Sequence, residues 1–439
     1  ECSIHSGGTI RFCADGDKSH RLSAIHLAAL LVSLAAAFGV INHFLLRLPT
    51  TIGLVVIALA VSLTLIGVDA LFPSFQVDDL IREQILGIDF TEALMHGMLG
   101  FLLFAGALHV DLDALRNQKW AVAAMATVGV LISTAIVGLG FHWITGAPLL
   151  FALLFGALIS PTDPVAVLGL LKSVKVPHSL ETKIAGESLF NDGVAYVTFL
   201  ALVTLIATDP AQDGELHVAP DILGILRLFV VEVGGGILLG GVAGWLVFQV
   251  MRRIDDYALE VLLTLALALG GYSLALSIGV SAPIAIVVAG LLIGHHGIRF
   301  GMSEQTRTNV DAFWRLIDEI LNAMLFLLIG FEVFAIEFHT GILLYSLLSI
   351  PLALAGRFVA VALPLTALRL RRTFVPGTIP ILTWGGLRGG VSVALVLSLP
   401  EHDDRDLLLA ATYVVVIFSI VVQGLTMRSV VRRFVPPGP

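Results

Sequence analysis

The chain has 439 residues, 57% of them hydrophobic and 13% charged, with a formal net charge of −8. Soluble domains carry about 25% charged residues, so this composition, with a mean hydropathy of +0.97, excludes an ordinary soluble domain and points to an all-α, polytopic membrane protein. Aromatic residues are 8% and no basic stripe occurs, so lipid bilayer rather than nucleic acid is the expected surrounding.

A spanning helix needs roughly 20 mostly apolar residues. Residues 1–23 are polar and precede the first such segment. They hold Cys2 and Cys13, which either form one small disulfide in an oxidising compartment or remain two thiols. The start at Glu1 rather than Met is expected of a processed or engineered terminus. Thirteen candidate spans follow, over about 24–46, 50–68, 90–110, 119–143, 148–171, 182–208, 221–251, 257–277, 281–295, 309–336, 341–368, 377–399 and 406–431. The seventh contains Gly234, Gly235, Gly236, Gly240 and Gly241 and is expected to be tilted or close-packed. The fifth is interrupted by Ser160-Pro161-Thr162-Asp163-Pro164, and the twelfth by Trp384-Gly385-Gly386-Leu387-Arg388-Gly389-Gly390.

Basic residues set the orientation. One set of loops carries Arg116, Lys119, Lys172, Lys175, Lys183, Arg252, Arg253, Arg369, Arg371 and Arg372, and the C-terminal segment adds Arg428, Arg432 and Arg433. The opposite loops hold Arg82 and Arg405 and are otherwise acidic, with Asp78, Asp79, Glu83, Asp209, Asp213, Glu215, Glu401, Asp403 and Asp404. An odd number of spans then puts the N-terminus outside and the C-terminus in the cytoplasm of a cell (inner) membrane. With six residues after Arg433, no cytoplasmic regulatory domain is expected.

The two interrupted spans lie seven apart, so they run in opposite directions, as two inverted repeats with broken helices crossing at the midplane would require. Paired broken helices in corresponding halves mark a transporter site. Taken singly, a proline kink and a glycine packing face explain each break equally well. Together, with Asp163 in one and Arg388 in the other, they favour the crossing. A carboxylate suits helix N-termini and a cation suits C-termini, roles open to Asp163 and Arg388.

The sixth span carries Gly186-Glu187-Ser188-Leu189-Phe190-Asn191-Asp192-Gly193. Ionisable groups at membrane depth are functional by default. Helical spacing puts Ser188 and Asp192 on one stripe and Glu187 and Asn191 on the next. Hard cations prefer oxygen ligands, so Asp192, Asp163, Ser188 and the backbone near Thr162 form an expected Na⁺ site. A single site that holds either a proton or Na⁺ performs exchange by competition alone. Glu187 lies off that stripe, and Arg357 in the eleventh span is its expected partner in a buried ion pair.

Ser160 to Pro164, Glu187 to Gly193, the run NAMLFLLIG from Asn322 to Gly330, and Gly385 to Gly390 resemble the monovalent cation/proton antiporter-1 family, which includes the prokaryotic NhaP-type sodium/proton antiporters and the animal sodium/proton exchangers. The resemblance covers nearly all the chain after residue 24. It implies a sodium/proton exchanger transmembrane domain over 24–439, with core helices at about 119–208 and 341–431 and dimerisation helices at about 24–110 and 221–336. It also implies a homodimer, an elevator-like motion, and electroneutral exchange of Na⁺, or Li⁺, for H⁺. The family's ion site maps onto Thr162, Asp163, Ser188 and Asp192. Asn191 supports the crossing, and Glu187 and Arg357 match the buried pair. Ala105 stands where many relatives carry an acid.

Other polar groups leave alternatives open. His96, His142, His295 and His296 are either pH sensors or satisfied interfacial histidines, and their spacing shows no zinc pattern. Arg315, Asp318 and Glu319 form a cytoplasmic funnel, or Arg315 pairs with those two acids along its own helix. Glu232 and Glu260 are partners for Arg227 or line a dimer interface. No cofactor is expected, because no nucleotide-binding loop or covalent nucleophile stands out. Exchange of K⁺ for H⁺ fits the same oxygens. An intramembrane aspartyl hydrolase using Asp163 and Asp192 as a dyad, and a cation channel, are remoter readings.

Overall fold

In lipid a backbone must satisfy its own polar groups, and regular structure among the described residues is helical throughout. The structure is a computed structural model that describes residues 24–71, 98–163, 167, 176–207, 222–295, 302–336, 340–370, 373–399, 402 and 404–434. The tail with Cys2 and Cys13, His96, His296, and Pro164 with most of the remaining fifth predicted span lie outside the described residues.

Helix α1 (Ala24–Ile41) ends in a π turn, and α2 (Thr50–Leu71) follows. Next come α3 (Leu99–Leu108) and α4 (Leu112–Ala124), which passes through a π turn at Met125–Gly129 into α5 (Val130–Thr145). Then follow α6 (Leu149–Ile159), α7 (His178–Ala207), α8 (Ile222–Met251), α9 (Tyr257–Ile278), α10 (Ala282–Leu292), α11 (Glu304–Phe331) and α12 (Thr340–Arg369). The twelfth predicted span is two short helices, α13 (Thr378–Trp384) and α14 (Gly390–Leu397). The chain closes with α15 (Arg405–Phe418), a π turn at Ser419–Gln423 and α16 (Gly424–Phe434).

Among the described residues, 8 helical stretches are long and apolar enough to cross a membrane, and Leu99–Leu108, Leu149–Ile159 and Ala282–His295 are shorter apolar helices. Length and composition alone therefore do not reach the predicted thirteen. The split of α13 from α14, and the charged residues Arg307, Asp311, Arg315, Asp318 and Glu319 on α11, account for two of the differences.

Boundaries moved where helices start on polar turns. The fourth span begins at Leu112 rather than near 119, because the Asp111 carboxylate caps it, accepting from the Asp113 and Ala114 N–H groups at 2.9 and 3.1 Å. The Ala114 N–H is the main cause holding that carboxyl below its ordinary value. The opening residues Asp113, Arg116, Asn117, Gln118 and Lys119 hide this start from a hydropathy reading. In the same way Ser303 caps α11, accepting from the Thr306 N–H at 3.4 Å.

Helix α5 packs on α6 and α12, α7 on α4 and α6, and α12 on α15; α2 packs on α11, and α10 on α3. The glycines of α8 let it close on α10: a Cβ at Gly236 would stand 2.8 Å from the Ser281 carbonyl oxygen, and one at Gly240 would overlap the Ala285 carbonyl. The two breaks meet. The Asp163 N–H donates to the Leu387 carbonyl at 2.7 Å, joining the segment after α6 to the segment between α13 and α14.

Candidate ion site

Helix α6 ends at Ile159, with Ser160 still at helical angles (φ −72°, ψ −41°) and Pro161, which has no N–H to continue the hydrogen-bond ladder, directly after it. The chain then runs without regular structure through Thr162 and Asp163, against the middle of α7. Asn191 holds this segment by both ends of its amide: Nδ2 donates to Thr162 Oγ1 at 2.8 Å, and Oδ1 accepts from the Thr162 N–H at 3.4 Å. The Thr162 and Ser188 hydroxyls are 2.8 Å apart. All three residues of this set, and Asp192 beside them, are buried.

A cavity of about 60 Å³ opens at the crossing, lined by Thr162, Asp163, Asp192, Asn322, Gly389, Gly390 and Ser392 with apolar neighbours including Leu103 and Leu325. Gly389 is needed there: a Cβ would stand 2.8 Å from the Asp163 Cβ. Three of the four predicted ion-site residues, Thr162, Asp163 and Asp192, therefore share one wall. Ser188 is not among the lining residues, but its hydroxyl is 2.8 Å from that of Thr162, which is. Ala105 is not among them either, although its neighbour Gly106 is.

Two buried arginines brace the crossing. Arg357 on α12 grips the Glu187 carboxylate with both terminal nitrogens, Nη1 to Oε1 and Nη2 to Oε2, the second at 3.0 Å. Its Nε and Nη2 also donate to the Leu382 carbonyl at 3.3 and 3.1 Å, so one guanidinium ties α7, α12 and α13 together. Arg388 donates from Nη1 to the Ser160 and Pro161 carbonyls at 2.6 and 3.0 Å. This puts positive charge on the C-terminal end of α6, where the helix dipole favours it. Its N–H is held by Ser419 Oγ at 2.9 Å, in the π turn after α15.

A second cavity, of about 510 Å³, lies where α3 ends and α11 begins, lined by His109, Asp111, His295, Arg307, Asp311 and Arg315 among others. Asp311 joins the two helices. His109 Nε2 is 3.0 Å from Asp311 Oδ1, and His109 Nδ1 is 2.6 Å from the Ala105 carbonyl. Arg315 pairs with Asp311, Nε to Oδ2 at 2.9 Å, not with Asp318 or Glu319 as one sequence alternative had it. Glu319 is also four residues from Arg315, but an acid placed N-terminal to its base, as Asp311 is, is the favoured order on a helix. Asp318 instead accepts from Asn322 Nδ2 at 2.9 Å. Residues 311, 315, 318 and 322 thus form one stripe leading from the outer cavity to the inner one.

Glu260 also departs from expectation. It is fully buried within the protomer, and neither carboxylate oxygen has a hydrogen-bond partner among the described residues. It therefore neither bonds Arg227 nor faces an interface. His142 is satisfied locally, with Nδ1 2.6 Å from the Ala147 carbonyl. The sequence reading assigned no role to His109, Asp311, Asn322 or Ser392. The spacing on α11 carried a signal for Asp311 and Asn322, but nothing in the sequence marked Ser392.

Residues 29–433 match the family described as "Sodium/hydrogen exchanger, transmembrane". The chain is 47% identical to the Na(+)/H(+) antiporter NhaP of Pseudomonas aeruginosa over 420 residues, covering 93% of this chain and 96% of that protein. It is 34% identical to the Na(+)/H(+) antiporter NhaH of Halobacillus dabanensis over 395 residues, covering 89% and 93%. The fold is similar to that of the sodium proton antiporter MjNhaP1 from Methanocaldococcus jannaschii, with a TM-score of 0.71 at 20% identity over 94% of this chain and 99% of that one.

Proposed function

Because the chain belongs to the sodium/hydrogen exchanger family of transmembrane transporters, we propose that it is a secondary antiporter exchanging Na⁺ for H⁺ by competition of the two at Asp192. The observation that carries this reading is the small buried cavity that brings Asp163, Asp192 and Thr162 together where two broken helices meet. Two carboxylates among apolar side chains repel each other when both are charged, and the repulsion is relieved either by a proton or by a cation between them. One site then has two mutually exclusive occupants, and alternating its exposure between the two sides exchanges one for the other.

The flanking groups suit this cycle. Glu187 and Arg357 neutralise each other and lock three helices, so the charges left at the crossing are those of the two aspartates and of Arg388, which is engaged at the C-terminal end of α6. Asn191 is neutral and fixes the Thr162 backbone, which agrees with one proton exchanged per Na⁺ and no net current. The stripe from Asp311 to Asn322 gives a hydrated cation a polar route from the outer cavity, which this reading places on the cytoplasmic side, with the N-terminus outside. The helices at about 119–208 and 341–431 serve as a moving core, and those at about 24–110 and 221–336 as the scaffold of a homodimer in the cell membrane. The aspartyl hydrolase reading falls away, since the family is one of transporters.

In proteoliposomes an outward Na⁺ or Li⁺ gradient is expected to acidify the lumen, and an imposed membrane potential to leave the rate unchanged. A response to K⁺ equal to that for Na⁺ moves the assignment to K⁺/H⁺ exchange. Single-channel currents, or no proton movement under any of the three gradients, overturn it.

A further inference from the structure

Within the antiport reading above, we propose that the Ser392 hydroxyl is a direct ligand of the transported cation, supplying a neutral oxygen to the cavity that Asp163 and Asp192 also line and helping to set the preference for small alkali cations. Ser392 is 1% exposed, lines the 60 Å³ cavity, and its Oγ has no hydrogen-bond partner among the described residues. An unsatisfied buried hydroxyl is costly and calls for a partner that the unliganded protein does not hold.

The other hydroxyls show how unusual this position is. Ser160, Ser346, Ser349 and Thr198 each donate to the carbonyl four residues earlier in their own helices. Ser392 is the third residue of α14, and the residue four before it, Arg388, belongs to the break rather than to a helix, so this bond is denied to it. Ser133, Ser281, Thr383 and Thr412 also lack partners, but none of them lines the cavity.

The ligand count points the same way. A cavity of this size admits a cation with at most a few waters, whereas hard cations such as Ca²⁺ take about six to eight oxygens. The protein must replace what hydration loses. Thr162 Oγ1 is already engaged by Asn191 and Ser188, and Ser188 sits outside the lining. The Asn322 amide nitrogen is committed to Asp318. Alongside the two aspartates and the Asn322 amide oxygen, Ser392 Oγ is a neutral side-chain oxygen of this lining with no hydrogen-bond partner among the described residues. It is fixed on α14, just after the Gly389–Gly390 pair, of which Gly389 abuts Asp163.

The test is equilibrium binding of radioactive ²²Na⁺ to the purified full chain, with Li⁺ and K⁺ as competitors, alongside exchange in proteoliposomes. Ser392→Ala is expected to weaken Na⁺ binding and raise the exchange KM by about tenfold or more, with maximal rate and melting temperature close to wild type, and to narrow the gap between Na⁺ and K⁺. Ser392→Thr, which keeps the oxygen, is expected to bind like wild type, while its isostere Ser392→Val binds like the alanine variant. That second pair decides the matter if alanine destabilises the helix. Wild-type affinity in both Ser392→Ala and Ser392→Val overturns the ligand and leaves the antiport reading standing. A wild-type chain that neither binds nor exchanges a monovalent cation overturns the antiport reading and the ligand with it.

Discussion

Asp192→Asn is expected to reduce Na⁺-driven proton movement in proteoliposomes to the level of empty vesicles while leaving the protein folded. Asparagine has nearly the size of aspartate, so the cavity wall formed with Thr162 and Asp163 keeps its shape. What is lost is the charge that draws the cation and the oxygen that takes the proton. Both occupants of the competition fail at once, so raising either Na⁺ or proton concentration does not restore exchange. Asp192 is not part of the Glu187–Arg357 grip or of the Asn191–Thr162 clamp, so the variant is expected to melt close to wild type. Wild-type exchange in Asp192→Asn would remove Asp192 from the cycle and move the proton to Asp163 or elsewhere.

The second large effect concerns stability. Glu187→Ala and Arg357→Ala each leave one buried charge without its partner, and breaking such a pair costs about 3–5 kcal/mol. The loss is the greater for Arg357, whose guanidinium also satisfies the Leu382 carbonyl in α13. Either variant is expected to melt well below wild type in detergent. A double replacement by apolar residues of similar volume, Glu187→Leu with Arg357→Met, is expected to recover most of the loss, because no unpaired charge then remains. Thermal melts of the four proteins check this. Equal melting of wild type and Arg357→Ala would make the pair energetically idle, and a double variant as unstable as the singles would show that the helices need the guanidinium itself.

Much of this arrangement was legible in the sequence, for identifiable reasons. Long apolar runs specify membrane helices, because lipid offers the backbone no other partner. Pro161 and the glycines from Gly385 to Gly390 break helices through local backbone chemistry, so both interruptions could be read where they stand. Glu187 and Arg357 could be matched because two buried opposite charges in an apolar chain have few other partners to choose from. Distance in sequence set the limit elsewhere. His109 and Asp311 meet across two helices, and no local pattern links them. The start of α4 escaped because its first turns are polar and the Asp111 cap stabilises them without apolar residues. Ser188 is placed on the ion-facing stripe by helical spacing; its hydroxyl lies 2.8 Å from that of Thr162, which lines the cavity with Asp192 and Leu189. Ser392 gave no signal, since a serine one turn into a short helix is ordinary until its neighbours are known.

The measurement that bears most directly on the account is the apparent KM for Na⁺ in proteoliposomes, taken as the pH on the Na⁺-loading side is lowered. Competition at one site predicts that KM rises by about tenfold per pH unit once protons occupy the site, while the rate at saturating Na⁺ stays the same. A KM that does not change as the maximal rate falls would place the proton and the sodium ion on separate sites and contradict exchange through Asp192.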